Sequence, residues 1–563
     1  MLKKILRFAF LAVLVLFLAS CHKKEQPEGK DDPQEQNDNP DDPDNPDNPD
    51  NPDNPDNPDT PDEPESSTID LEGLDESEVD TSASAGNNNQ GNENKKKVSL
   101  LGDSITTYQG YTPYPNNYQY PKSSYTDFTG VEQTWWYQLI YDKMTDAALE
   151  VNSSYTGTCV QNTTSQGHPG YGFLQRYAEL GNPDVIIING GTNDSWSFKL
   201  PLGSLDFSIA TADLDTYQFA QAYDKLIRVT KEKYPSAQIC CVIGDAMNDY
   251  DSYAQVIKDV CVHYNLPYAQ VKFADRASMT YDNVHPNVSG MADMANQIWT
   301  ALQPYLESDA PRVREVNSPH MKMYFPHPGP KPCPLAIVCP GGGYSSIPGA
   351  DGYEGAFWKD LFNTAGYALA VLYYTLPNGD YTKPTADIEN ALKLVRENAS
   401  QWNVDPDRVG VMGFSAGGHL ASYAATHLSG NARADFQVLF YPVITMESGK
   451  THAGSRTKLL GDNPSDELVA TFCNEQHVTA STSRTFLTYA ESDSTVPPQY
   501  NGVAYYDALT AAGVPVERHV YSGSRHGWHW GSFTFDGAAV SDGTKYENLD
   551  DVKARLSAWL LRN

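Results

Sequence analysis

Residues 184–194 read D-V-I-I-I-N-G-G-T-N-D. Four successive branched apolar side chains, Val185 to Ile188, are too short a run for a helix and suit a strand buried on both faces. The Asn-Gly-Gly that follows stops the strand and allows close backbone approach at its end. Working outward, apolar runs at 98–101, 238–243 and 266–271 alternate with helical patterns over 217–233, 250–264 and 288–306. Such alternation predicts a parallel sheet covered by helices on both faces. Near 307–311 the pattern lapses and a second series begins. Its strands are expected at 335–339, 367–374, 408–412, 437–441, 485–489 and 516–521, and its helices at 385–401, 416–428, 500–512 and 549–561. The expectation is two α/β domains, 96–310 and 311–563, because this length exceeds what one hydrophobic core supports.

The first 21 residues carry Lys3, Lys4 and Arg7 ahead of an apolar core from Phe8 to Leu18, then Leu18-Ala19-Ser20-Cys21. That core has the length of a signal-peptide core and is too short to span a membrane comfortably. The Leu-Ala-Ser-Cys ending resembles a bacterial lipobox, which implies cleavage before Cys21, lipidation of its thiol and membrane anchoring in the periplasm or at the cell surface. Residues 22–95 repeat N-P-D from Asn45 to Asp59 and contain little to bury, so a disordered tether is expected there. The formal net charge of -32 lies mostly in this segment, since no basic residue falls between Lys30 and Lys95. The folded remainder is only mildly acidic, which argues against nucleic acid as a partner. Of eight cysteines, the seven beyond Cys21 have no metal-like spacing; the expectation is mostly buried thiols, with room for one or two disulfides.

The run 99–110, S-L-L-G-D-S-I-T-T-Y-Q-G, ends a strand at Gly-Asp-Ser. A nucleophilic Ser104 would need a base, a group to orient that base and donors for an oxyanion, each on a loop at the same sheet edge. Asn193 follows the strand at 184–188 and supplies a neutral amide donor. Asp282-Asn283-Val284-His285 stands just before a helix, so His285 can reach Ser104 while Asp282 fixes its tautomer. Together with V-N-S-S-Y-T-G around Gly157, these segments resemble, in chain order, the four blocks of the SGNH or GDSL hydrolases over about residues 96–306. The resemblance implies a flavodoxin-like three-layer sandwich with Ser104, His285 and Asp282 as catalytic triad. The Ser104 amide, the Gly157 amide and the Asn193 side chain would be the oxyanion donors. Gly170 and Gly172 compete with Gly157.

A second arrangement follows. The strand at 408–412 runs into Gly413-Phe414-Ser415-Ala416-Gly417-Gly418, a G-x-S-x-G turn that exposes a serine above a sheet. Upstream, Pro340-Gly341-Gly342-Gly343-Tyr344 stands where this architecture places its second oxyanion amide. The Ala416 amide is the expected first donor, and Gly342 or Gly343 the second. Asp493, with Glu491 as alternative, follows the strand at 485–489; His526 follows that at 516–521 as the base, whereas His529, between two tryptophans, is expected to shape the cleft. His526 and His529 lack an acidic or cysteine companion, so no metal is expected. The P-G-G-G-Y, G-F-S-A-G-G, D-x-x-V-P and H-G motifs resemble the α/β-hydrolase carbohydrate esterases, especially acetyl xylan esterases and feruloyl esterase-like lipases, across nearly all of 312–563. That likeness implies an α/β-hydrolase fold hydrolysing acyl esters on plant polysaccharides.

The combined expectation is a bifunctional serine carbohydrate esterase with no cofactor, acting on an acylated polysaccharide or oligosaccharide such as xylan. Two other classes stay open: a peptidase in the second domain, or one domain reduced to a glycan-binding module. Trp135, Trp136, Trp528 and Trp530 offer flat faces for sugar rings, although most aromatics are expected in the core.

Overall fold

The computed structural model describes residues 95–245, 250–308, 310, 312–522, 525–527 and 544–562. The leader, Cys21, the tether up to residue 94, Trp528, His529 and Trp530 lie outside the described residues. The first sheet holds β1 (Lys96–Gly102), β2 (Ala147–Ser154), β3 (Val185–Asn189), β4 (Gln238–Ile243) and β5 (Tyr268–Gln270). They lie in the order β2-β1-β3-β4-β5, every pair parallel. Alternate side chains of the apolar runs serve opposite faces. Val185 and Ile187 pack with Trp135, Trp136 and helix α3 (Val288–Leu306), whereas Ile186 and Ile188 pack with helices α1 (Phe219–Lys233) and α2 (Tyr250–His263). This produces the flavodoxin-like three-layer sandwich. Trp135 and Trp136 are wholly buried, which removes them as sugar-binding surfaces.

The second sheet holds β6 (Val313–Asn317), β7 (His320–Tyr324), β8 (Cys333–Cys339), β9 (Ala368–Leu372), β10 (Val404–Phe414), β11 (Phe436–Phe440), β12 (Arg484–Ala490) and β13 (Val516–Tyr521). The order is β13-β12-β11-β10-β8-β9-β7-β6. β13 through β9 are parallel, and β7 and β6 close one edge antiparallel. Helices α4 (Thr382–Glu397), α5 (Ser415–His427), α6 (Gly502–Ala511) and α7 (Thr544–Arg562) complete an α/β-hydrolase fold.

In each sheet the strand order reverses at one point, beside β1 in the first and beside β8 in the second. Loops leaving the carboxyl ends of neighbouring strands diverge there and open a crevice. The loops after β1 and β3 carry Ser104 and Asn193; those after β8 and β10 carry Gly341 to Gly343 and Ser415. Among the described residues all seven cysteines are buried free thiols, so the room left for disulfides is not used.

Two candidate active sites

Ser104 opens a short turn, Ser104–Thr106, that Asp103 caps by accepting from the Ile105 N–H at 3.1 Å. Its Oγ lies 2.9 Å from His285 Nε2, and His285 Nδ1 lies 2.7 Å from Asp282 Oδ2. The other Asp282 oxygen accepts the backbone N–H groups of Val284 at 3.1 Å and His285 at 2.8 Å. Burial alone would raise the Asp282 carboxyl, but these hydrogen bonds and the imidazole hold it well below the usual carboxylate range. Tyr125 donates to the same carboxylate at 3.3 Å. The loop is fixed on both sides: the Tyr281 N–H donates to the His285 carbonyl at 2.9 Å, and Asn287 caps α3 through the Gly290 N–H at 3.0 Å.

The expected oxyanion donors stand on two loops that hold each other. Asn193 Nδ2 donates to the Thr158 carbonyl at 3.0 Å, next to Gly157. Both oxygens of buried Asp194 accept from the same loop, from the Val160 and Gln161 N–H groups at 2.9 Å. Gly157 has φ +77°, a conformation that favours glycine. These links join the Gly157 loop to that of Asn193; Gly170 shares the left-handed conformation, with φ +94°, and Gly172 sits against the Cys159 carbonyl. Burial lifts Asp194 to about 7 and Asp103 to about 6, both opposed by backbone hydrogen bonds. Arg176, buried and absent from the sequence reading, donates to the carbonyls of Gly102 at 3.1 Å and Ser153, and to Thr158 Oγ1 at 3.1 Å. It ties the end of β1 to the end of β2 and to the Gly157 loop.

Ser415 sits at the β10–α5 elbow with φ +52°, the left-handed conformation that such a turn imposes on a non-glycine residue. Its Oγ lies 2.8 Å from His526 Nε2, and His526 Nδ1 lies 2.7 Å from Asp493 Oδ2. Asp493 Oδ1 accepts the N–H groups of Thr495 and Val496, each at 2.9 Å. The structure thus brings Asp493 to the imidazole. The Ala416 N–H lies in the first turn of α5, where backbone donors lack helical acceptors. Gly342 and Gly343 have φ +117° and +62°.

Two further groups fix this second loop. Buried Glu354 accepts the Gly341 N–H and the Tyr441 hydroxyl, both at 2.9 Å, and the Tyr441 ring stands edge-on to His526 at 4.8 Å. Tyr344 meets His419 Nδ1 at 2.9 Å, while His419 Nε2 faces the Phe472 carbonyl at 2.9 Å. Burial lowers His419 to about 4, so Nε2–H donates to the carbonyl and Nδ1 accepts from the tyrosine. No local sequence pattern marks Arg176, Glu354 or His419, because each acts on groups distant in the chain.

Each relay can deprotonate its serine in place and aim it at an electrophilic carbonyl. Glu447, Cys473 and Glu475 also converge within 4.8 Å. Lys450 pairs with Glu447, and burial raises the Cys473 thiol, which leaves that group poorly suited to hold an ion.

Residues 96–302 match the family model described as GDSL-like Lipase/Acylhydrolase, and residues 321–505 match that described as BD-FAE. The chain is 37% identical over 206 residues to an acetylxylan esterase of Xylanibacter ruminicola, covering 36% of this chain and 42% of that protein. It is 34% identical over 207 residues to endo-1,4-beta-xylanase B of Butyrivibrio fibrisolvens, covering 34% of this chain and 32% of that protein. The chain thus spans less than half the length of either relative. A solved acetyl ester-xyloside bifunctional hydrolase from Caldicellulosiruptor lactoaceticus is 32% identical with a TM-score of 0.37, over 43% of this chain and 86% of that one.

Proposed function

We propose that this chain, which joins a GDSL-like lipase/acylhydrolase domain to an α/β-hydrolase domain of the BD-FAE family, is a bifunctional serine esterase removing acetyl groups from plant polysaccharides such as xylan. The observation that carries it is the pair of Ser-His-Asp relays, with Oγ to Nε2 distances of 2.9 and 2.8 Å. In each, the serine Oγ attacks the ester carbonyl carbon as its proton passes to Nε2, and the aspartate holds the Nδ1–H and steadies the imidazolium. The oxyanion is met by the amides of Ser104 and Gly157 and the Asn193 side chain in one site. In the other it is met by the Ala416 amide and that of Gly342 or Gly343. The sugar alcohol leaves with the proton from Nε2, and water then repeats the attack on the acyl-enzyme. The names of the relatives, acetylxylan esterase and endo-xylanase, support a xylan-type substrate. The BD-FAE match also favours an aryl ester such as feruloyl at Ser415.

Acetate and ferulate release from esterified xylan by wild type, Ser104→Ala, Ser415→Ala and the double variant tests the reading. Each single variant is expected to lose part of the release and the double variant nearly all; release that persists in the double variant refutes it. The proposal extends to the cell envelope, with Cys21 lipidated and the enzyme membrane-anchored, on the support of the leader sequence. Radiolabelled palmitate should enter the wild type and not Cys21→Ser, and equal labelling would refute the anchor.

A further inference from the structure

We propose that Tyr155, His168 and Tyr171 form a stacking platform beside Ser104 that binds a pyranose ring of the ester-bearing glycan. This rests on the carbohydrate-esterase reading and specifies how its first site holds the alcohol side of the ester.

Tyr171 is 46% exposed, so its ring is open to a ligand. Its ring stacks on Tyr155, with centroids 4.7 Å apart and planes within 21°. Tyr114 stands edge-on to both, at 4.9 and 5.8 Å, and its hydroxyl donates to Glu179 at 2.8 Å. The pair is therefore braced from behind while Tyr171 faces water. The exposed His168 ring lies 5.2 Å from that of Tyr155. It also borders Gly157: a Cβ there would lie 3.3 Å from His168 Cδ2 and Nε2. The platform thus adjoins the loop expected to carry an oxyanion donor.

Arg176 sets its register to the serine. The guanidinium whose Nη2 holds the Gly102 carbonyl, two residues before Ser104, also donates through Nε to the Tyr171 carbonyl at 2.6 Å. One buried group therefore fixes the end of the nucleophile's strand and the backbone of the exposed ring. A pyranose matches such a surface, since its C–H face covers an aromatic ring while its hydroxyl rim stays wet and can meet tyrosine hydroxyls. A small aryl acetate carries no pyranose for the platform to hold, so the two substrate types should separate.

The test uses full-length Ser415→Ala protein, which isolates the first site, with acetylated xylo-oligosaccharide and 4-nitrophenyl acetate. Adding Tyr171→Ala should lower the ratio of kcat/KM on oligosaccharide to that on 4-nitrophenyl acetate about tenfold, mainly through KM, and Tyr171→Phe should restore it. A ratio that stays within about twofold, or a loss shared equally by both substrates, overturns the platform alone. If the Ser415→Ala parent hydrolyses 4-nitrophenyl acetate through Ser104 but no acetylated oligosaccharide, the esterase reading of this site fails and the platform with it.

Discussion

Asp103 and Ser104 are chain neighbours that are both buried, at 1% and 5% exposed. Burial lifts the Asp103 carboxyl to about 6. A carboxyl whose folded pKa exceeds its unfolded value takes up a proton on folding, so its contribution to stability falls as pH rises from about 4 to about 6. Above that range the buried charge is a standing cost, which the Ile105 N–H only partly offsets. Asp103→Asn keeps an oxygen for that N–H and cannot ionise. The decline in thermal midpoint of the first domain between pH 4 and 7 should therefore be shallower in the variant, as scanning calorimetry would read. An identical pH profile would show that Asp103 is not a titrating burden. The acids of the two relays, by contrast, differ in exposure: the Asp282 side chain is 44% exposed and that of Asp493 1%. The first relay is thus more open to water and salt than the second.

At the scale of elements, the β10–α5 elbow depends on close packing that only glycine permits. A Cβ on Gly417 would lie 2.0 Å from the Cys339 carbonyl oxygen at the end of β8, and one on Gly413 would lie 2.3 Å from the Gly417 carbonyl oxygen. Gly417→Ala should therefore push α5 off the sheet and abolish fluorophosphonate labelling of Ser415, while Ser104 still labels. Retained labelling at Ser415 would show that the elbow yields without losing its geometry. The glycines of this turn and the branched apolar strands were legible because local pattern and final environment agree. β2 was not: A-A-L-E-V-N-S-S buries Asn152, Ser153 and Ser154, and the Asn152 side chain meets the Thr106 carbonyl, at 3.0 Å, and the Ser154 hydroxyl. Nor was the β6–β7 hairpin, whose outer strand V-R-E-V-N pairs, among the described residues, with β7 alone and is exposed at alternate residues. The spacing of Ser104, Asn193, Asp282 and His285 could be read, but Arg176 could not. Its contact with Gly102 spans 74 residues and leaves no local mark.

Across the whole molecule, each relay is complete within its own sheet. Ser104, Asp282 and His285 come from loops of the first, Ser415, Asp493 and His526 from loops of the second, and the groups that position them follow the same division. Sites that share no partner should respond additively to substitution, within roughly 0.5 kcal/mol, or about a factor of two in rate. Ser104→Ala should accordingly leave kcat/KM for an ester specific to Ser415 within about twofold of wild type, and Ser415→Ala should do the same for Ser104. With small soluble esters the losses in the two single variants should sum to the activity of the wild type. On esterified xylan the sum can depart from unity, because removing one ester exposes a neighbouring hydroxyl and changes the substrate that the other site meets. Additivity on small esters with a departure on the polymer would place the coupling in the substrate. A tenfold fall at the untouched site on small esters would instead show that the two sheets communicate and would overturn their independence.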